Sequence, residues 1–115
     1  ILIMADFEKL IKKYGSYNFN FELTTQSNYV YLASNLVATA TNNDGIPIAT
    51  WCEWYRIRGN RVYKLSGISG NIYQISAEDV GCWIIVEVSP IDEDEGYEGV
   101  AKAEFGPVEM EPNSK

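Results

Sequence analysis

Two stretches of this 115-residue chain concentrate groups that could do chemistry. Asp92-Glu93-Asp94-Glu95-Gly96-Tyr97-Glu98 packs five carboxylates into seven positions. Hard oxygen donors at that density suit calcium. The ligand spacing of an EF-hand loop is missing, however, and neighbouring carboxylates on a hairpin splay apart. The stretch therefore reads as a solvated acidic loop, with no metal expected. Paired acids also serve acid–base catalysis when an apolar pocket raises one pKa; a wet loop provides no such pocket. The second stretch is basic. Arg56, Arg58, Arg61 and Lys64 gather four of the nine cations, with Tyr55 and Tyr63 interleaved. One reading is a solvated sheet face; the other is a contact for an acidic protein partner. Nucleophilic catalysis finds no support, because there is no histidine, no nucleophile elbow and no Gly-rich phosphate loop. The chain is expected to be no enzyme and to need no cofactor.

Composition bounds the rest. The length suits one domain with one core. Hydrophobic residues make up 46% of the chain, with three Trp, eight Tyr and four Phe. The net charge of −7 opposes binding to nucleic acid and to anionic membranes. Apolar runs such as Ile84-Ile85-Val86 are far too short for a membrane span. Ile1-Leu2-Ile3-Met4 lacks the basic flank of a secretory leader, so none is expected.

The elements that must carry these residues follow from periodicity. Phe7, Leu10, Ile11 and Tyr14 recur at spacings of three and four, which predicts an amphipathic helix over 5–14 that stops at Gly15. From Asn18 onward the period is two. Strands are expected at 18–23, within 29–41, and at 50–58, 61–65, 71–75, 82–88 and 100–108. Asn42-Asn43-Asp44-Gly45 and Gly59-Asn60 are turn signals. About seven short strands at such spacing predict an all-β antiparallel sandwich, with residues 1–15 as helix or linker, 16–110 as the sandwich and 111–115 as a tail.

Trp54 and the run Asp79-Val80-Gly81-Cys82-Trp83-Ile84-Ile85-Val86 make the sandwich an immunoglobulin-like one. Trp54 reads as a core residue on the strand expected at 50–58. Asp79 and Gly81 read as a corner, the glycine for its backbone freedom and the carboxylate for local hydrogen bonds. Trp83 takes the place of the corner tyrosine, and Ile85 that of the second disulfide cysteine. Cys52 is expected to share a face with Trp54, and Cys82 to face away from Trp83 and Ile85. Free thiols follow, as in a reducing compartment.

Cys52-Glu53-Trp54-Tyr55-Arg56, Tyr73 through Gly81, Val86-Glu87-Val88-Ser89-Pro90, Gly96-Tyr97-Glu98-Gly99 and Phe105-Gly106-Pro107-Val108 together carry a resemblance. Residues ~34–110 resemble the repeated immunoglobulin-like domain of the plant and protist microtubule-associated protein named for auxin-induced-in-root-cultures. The resemblance implies a cytoplasmic, cytoskeletal protein with tandem copies of a non-catalytic domain. It implies a protein partner, tubulin or another cytoskeletal protein, and neighbouring copies of the domain itself. Two other readings stand beside it. One is a cell-surface adhesion repeat. The other is a carbohydrate-binding module, which would need Trp51, Tyr55 and Tyr63 exposed on one face.

Overall fold

Period-two alternation decides which side chains enter the core. The computed structural model describes residues 11–28, 33–68, 70–91 and 95–108. Its strands are β1 (Ile11–Tyr17), β2 (Asn20–Asn28), β3 (Ala33–Thr41), β4 (Thr50–Arg58), β5 (Arg61–Lys64), β6 (Ile72–Gln74), β7 (Trp83–Pro90) and β8 (Gly99–Phe105). A 3-10 turn, Ala77–Asp79, precedes β7. Phe21 and Leu23 from β2, Leu36, Ala38 and Ala40 from β3, and Cys52 and Trp54 from β4 all point inward. So do Ile84, Val86 and Val88 from β7, and Ala101, Ala103 and Phe105 from β8. Each set skips every second residue, and the skipped residues are mostly polar or half-buried.

The strands form two antiparallel sheets, one of five strands in the order β1-β8-β7-β4-β5 and one of three in the order β2-β3-β6. Their apolar faces meet in one core cluster, which makes a β-sandwich. Trp54 is 1% exposed and lies across the gap between the sheets. Its ring stacks on Tyr73 at 5.7 Å between centroids, and its Nε1 donates to the Gly70 carbonyl at 2.9 Å. The indole thus buries its area and satisfies its one polar atom, as a buried Trp must. The two-residue turn at Gly59-Asn60 closes the β4–β5 hairpin, with Arg58 opposite Arg61 and Gly59 at a φ of 62°.

Two expectations differ from the observed structure. Residues 11–14 lie in a strand, not a helix; the rest of the expected helix, 5–10, falls outside the described residues. β1 runs antiparallel beside β8, from Ile11 opposite Phe105 to Tyr17 opposite Gly99. Ile11 and Tyr17 pack on the core while Tyr14 sits on the outer face beside Lys102. A spacing of three thus arises from residues on both faces of a strand, and it mimics a helical stripe. Gly15 does not stop a helix. Its φ is +105°, and a Cβ there would collide with the Val100 carbonyl oxygen, so glycine is required by the close approach of β8.

The second correction concerns the phase of β7. Trp54 lies opposite Val86, and Ile57 opposite Trp83. Directly opposed residues share a face. Val86 is therefore inside with Trp54, together with Ile84, Val88 and Cys82. Trp83 and Ile85, expected in the core, stand on the outer face, Trp83 at 37% exposure. Gly81, at a φ of 81°, sets this phase one residue away from the expected one. The Trp83 ring finds its contact at Gly106, where an added Cβ would come within 3.0 Å of the indole. Both cysteines are buried and free. They share the inner face, contrary to expectation. What separates them is distance: Cys52 lies opposite Val88, six residues along β7 from Cys82, or roughly 20 Å at strand rise.

Candidate functional site

Arg56 occupies an inward position on β4, two residues beyond Trp54. A cation there needs a buried anion, and Asp79 supplies it. Asp79 is fully buried at the 3-10 turn. Arg56 Nε donates to Asp79 Oδ1 at 2.7 Å, the Tyr73 hydroxyl donates to Oδ2 at 2.7 Å, and the Ser76 amide donates to Oδ2 at 2.9 Å. Burial lowers the proton affinity of the Arg56 guanidinium, but the hydrogen bonds and charge of Asp79 outweigh it, and the net shift is upward. The Tyr73 phenol is pushed up to about 12, by burial first and then by its bond to Asp79. Arg56 is therefore tied to the fold and unavailable for a partner. The corner aspartate accepts the expected backbone bond, yet its main partner is this arginine. The signal was present: Arg56 is in phase with Cys52 and Trp54, so an inward cation required an acid on a facing segment.

The other cations of the hairpin are freer. Arg58 leans over the corner, with Nη2 donating to the Glu78 carbonyl at 2.6 Å and Nε 3.3 Å from Cys82 Sγ; no carboxylate neutralises it among the described residues. Arg61, directly opposite it, is exposed and forms no ion pair among the described residues. Like charges facing each other across a hairpin oppose its formation. Lys64 pairs with Glu53 at 2.9 Å, an exposed ion pair. Tyr55, half-buried, reaches Glu53 at 3.1 Å and Glu87 at 3.4 Å with its hydroxyl. Its pKa is pushed up to about 12, by loss of surrounding water and by those two carboxylates. Tyr63 is exposed on the other side of the hairpin, opposite Arg56.

Periodicity alone hid the apolar outer face. Val62, Ile57 and Trp83 are successive rungs across β5, β4 and β7, and Val62 is 62% exposed. Trp51, 61% exposed, stands on the same face at the far end of β4. The trio Trp51, Tyr55 and Tyr63 is not on one face, because Tyr63 turns with Arg56 and the other two turn away. A shallow cleft lies between Asn18, Phe19, Asn42, Asn43, Asp44 and Tyr97. Its amides are largely spent within the fold: Asn18 bonds Gly96 and Glu98 in the segment before β8, and Asn42 Oδ1 accepts from Asp44 and Ile46 in its own turn.

Among the described residues no group of three or more acids, cysteines or histidines gathers to hold a metal ion. Asp92, Glu93 and Asp94 of the acidic stretch lie outside the described residues. Burial pushes the Cys52 thiol up, with only partial relief from the Thr50 hydroxyl, so it is a poor nucleophile. Among the described residues no helix is long and apolar enough to cross a membrane. Comparison of the chain with family models, with curated proteins and with solved structures returns no match.

Proposed function

We propose that this chain is a non-enzymatic protein-interaction domain of immunoglobulin-like type, serving a cytoskeletal, microtubule-associated protein. Strand order supports the first part. The strands β8-β7-β4-β5 facing β2-β3-β6, with a buried Trp on β4 and an Asp-x-Gly corner before β7, support an immunoglobulin-like plan. β1 is an addition to that plan, and the phase of β7 departs from it. The buried free thiols support a reducing compartment, and so the cytoplasm.

One observation carries the interaction reading: Arg58 and Arg61 face each other at the tip of an exposed hairpin, and among the described residues neither forms an ion pair with a carboxylate. A fold that tolerates this repulsion keeps two cations ready for an acidic surface, and tubulin presents one. Screening limits each charge to a reach of about 8 Å at physiological salt, so a local patch attracts although the whole domain is acidic. One copy should bind weakly and a tandem array far more strongly, through effective concentration. The test is co-sedimentation of single and tandem copies with microtubules, wild type against Arg58→Glu/Arg61→Glu. Arrays should pellet, less so with added salt, and the charge reversals should release them. Arrays that pellet equally well with the reversals would remove the hairpin as the contact. Arrays that never pellet would make the domain a spacer.

A further inference from the structure

β5 is the outermost strand of its sheet among the described residues, and all four of its residues are exposed. The hydrogen-bond phase of the hairpin tells which backbone groups are open. Leu65 N donates to Trp54 O at 2.9 Å. Antiparallel ladders alternate bonded and non-bonded pairs. Counting back from Trp54 and Leu65, Arg56 with Tyr63 and Arg58 with Arg61 are bonded pairs. Ile57 with Val62 and Tyr55 with Lys64 are the non-bonded ones. The N–H and C=O groups of Val62 and Lys64 therefore point away from β4, toward the open edge. The side chains divide just as cleanly. Val62 lies on the outer face, in line with Ile57 and Trp83, while Arg61 lies on the opposite face beside Arg58.

Resting on the interaction reading above, we propose that β5 is a docking edge that takes an extended segment of a partner protein as an added antiparallel strand. The segment alternates apolar and acidic residues. Its apolar positions come opposite Val62 and extend the Val62–Ile57–Trp83 row. Its acidic positions come opposite Arg61 and neutralise the Arg58–Arg61 pair. Strand addition draws affinity from main-chain bonds and selectivity from alternate side chains. Natural sheets blunt an open edge with charge or proline. Here the charge has one sign only and sits beside an exposed valine, which admits an acidic strand and repels a basic one.

The test uses the whole domain and a labelled peptide alternating Val and Glu, followed by fluorescence anisotropy. A peptide of the same composition with its acids in one block is the control. Saturable binding is expected for the alternating peptide only, weakened by salt. Arg61→Glu should abolish it. Val62→Pro removes one outward N–H and leaves the β4 ladder intact, since Val62 donates nothing to β4; it should weaken binding by about tenfold. If that variant unfolds, the peptide carries the same question. In an antiparallel addition the amides of its valines face β5 and those of its glutamates face away. N-methylation of the valines should abolish binding, and N-methylation of the glutamates should leave it. No binding by the alternating peptide, equal binding by the blocked one, or indifference to valine N-methylation overturns the proposal. Microtubule pelleting that needs Arg58 and Arg61 but survives Val62→Pro would keep the interaction reading and overturn strand addition.

Discussion

Asp79 ties Arg56 on β4, 23 residues away in sequence, to Tyr73 on β6 and to the corner at Ser76. Removing the acid alone would leave a largely enclosed guanidinium without its counter-charge. Asp79→Ala should cost about 3–5 kcal/mol, the range for breaking a buried pair from one side. The double variant Arg56→Met/Asp79→Leu should lose less than the two single losses added together. Urea melts of the four proteins check this; strict additivity would mean that the two residues are not coupled. Trp54→Ala should cost about 3–5 kcal/mol, because it empties the centre of the core and orphans the Gly70 carbonyl. A loss below about 1 kcal/mol would place Trp54 at the surface. Both thiols should react in urea without reductant and be slow in the native state, since Cys52 and Cys82 are buried. Trp54 and the Asp79 corner were legible because their types have few other uses at such positions. The Arg56–Asp79 pair was not, since an ion pair between facing segments needs the register before its partners can be named.

At the scale of elements, alternation identified strands more securely than it fixed their phase. The segment from Cys82 to Val88 is apolar at nearly every position, so either face could be the inner one. Gly81, at positive φ, and the pairing of Trp54 with Val86 make the choice. This phase predicts that Ile84→Ala costs about 2–5 kcal/mol, as for a buried aliphatic, and that Trp83→Ala costs less. Thermal or urea melts decide, and a larger loss for Trp83 would restore the opposite phase. β1 failed for a related reason. Ile11, Tyr14 and Tyr17 touch different neighbours from two faces, and a one-dimensional pattern cannot distinguish that from a helix. The β4–β5 hairpin was readable down to its turn, because a two-residue Gly-Asn connection leaves few other geometries. The apolar rung Val62–Ile57–Trp83 was hidden, because it joins three strands whose registers the sequence does not print.

At the scale of the whole molecule, pH is the simplest probe. The chain has no histidine, so no imidazole titrates near neutrality. Tyr55 and Tyr73 both hold their protons more tightly in the fold, with pKa values pushed up to about 12. A raised pKa means that folding favours the protonated form. That contribution is fully present below the unfolded phenol's value of about 10 and is lost as pH rises through the folded values. Stability should therefore decline from about pH 10 to about pH 12, and Tyr73→Phe should flatten part of the decline. Urea midpoints across that window measure it; a midpoint independent of pH would mean that the phenols are not held by the fold. The sandwich also responds to force in a way set by β1. The chain passes into β1 at Ile11 and out of β8 at Phe105, and these residues share one rung of an antiparallel ladder. Just beyond, the Val108 amide clips the exit to the Cys82 carbonyl at 2.9 Å. Tension applied at Ile11 and at the exit beyond Phe105, both at the same end of this ladder, loads that rung first, then the next, so the strands unzip one bond at a time instead of shearing together. In a line of such domains under load, β1 would peel first and lengthen the chain while the core behind β8 stayed packed. Each copy would then act as a soft extensible link, and its β8 edge would come into the open only under tension.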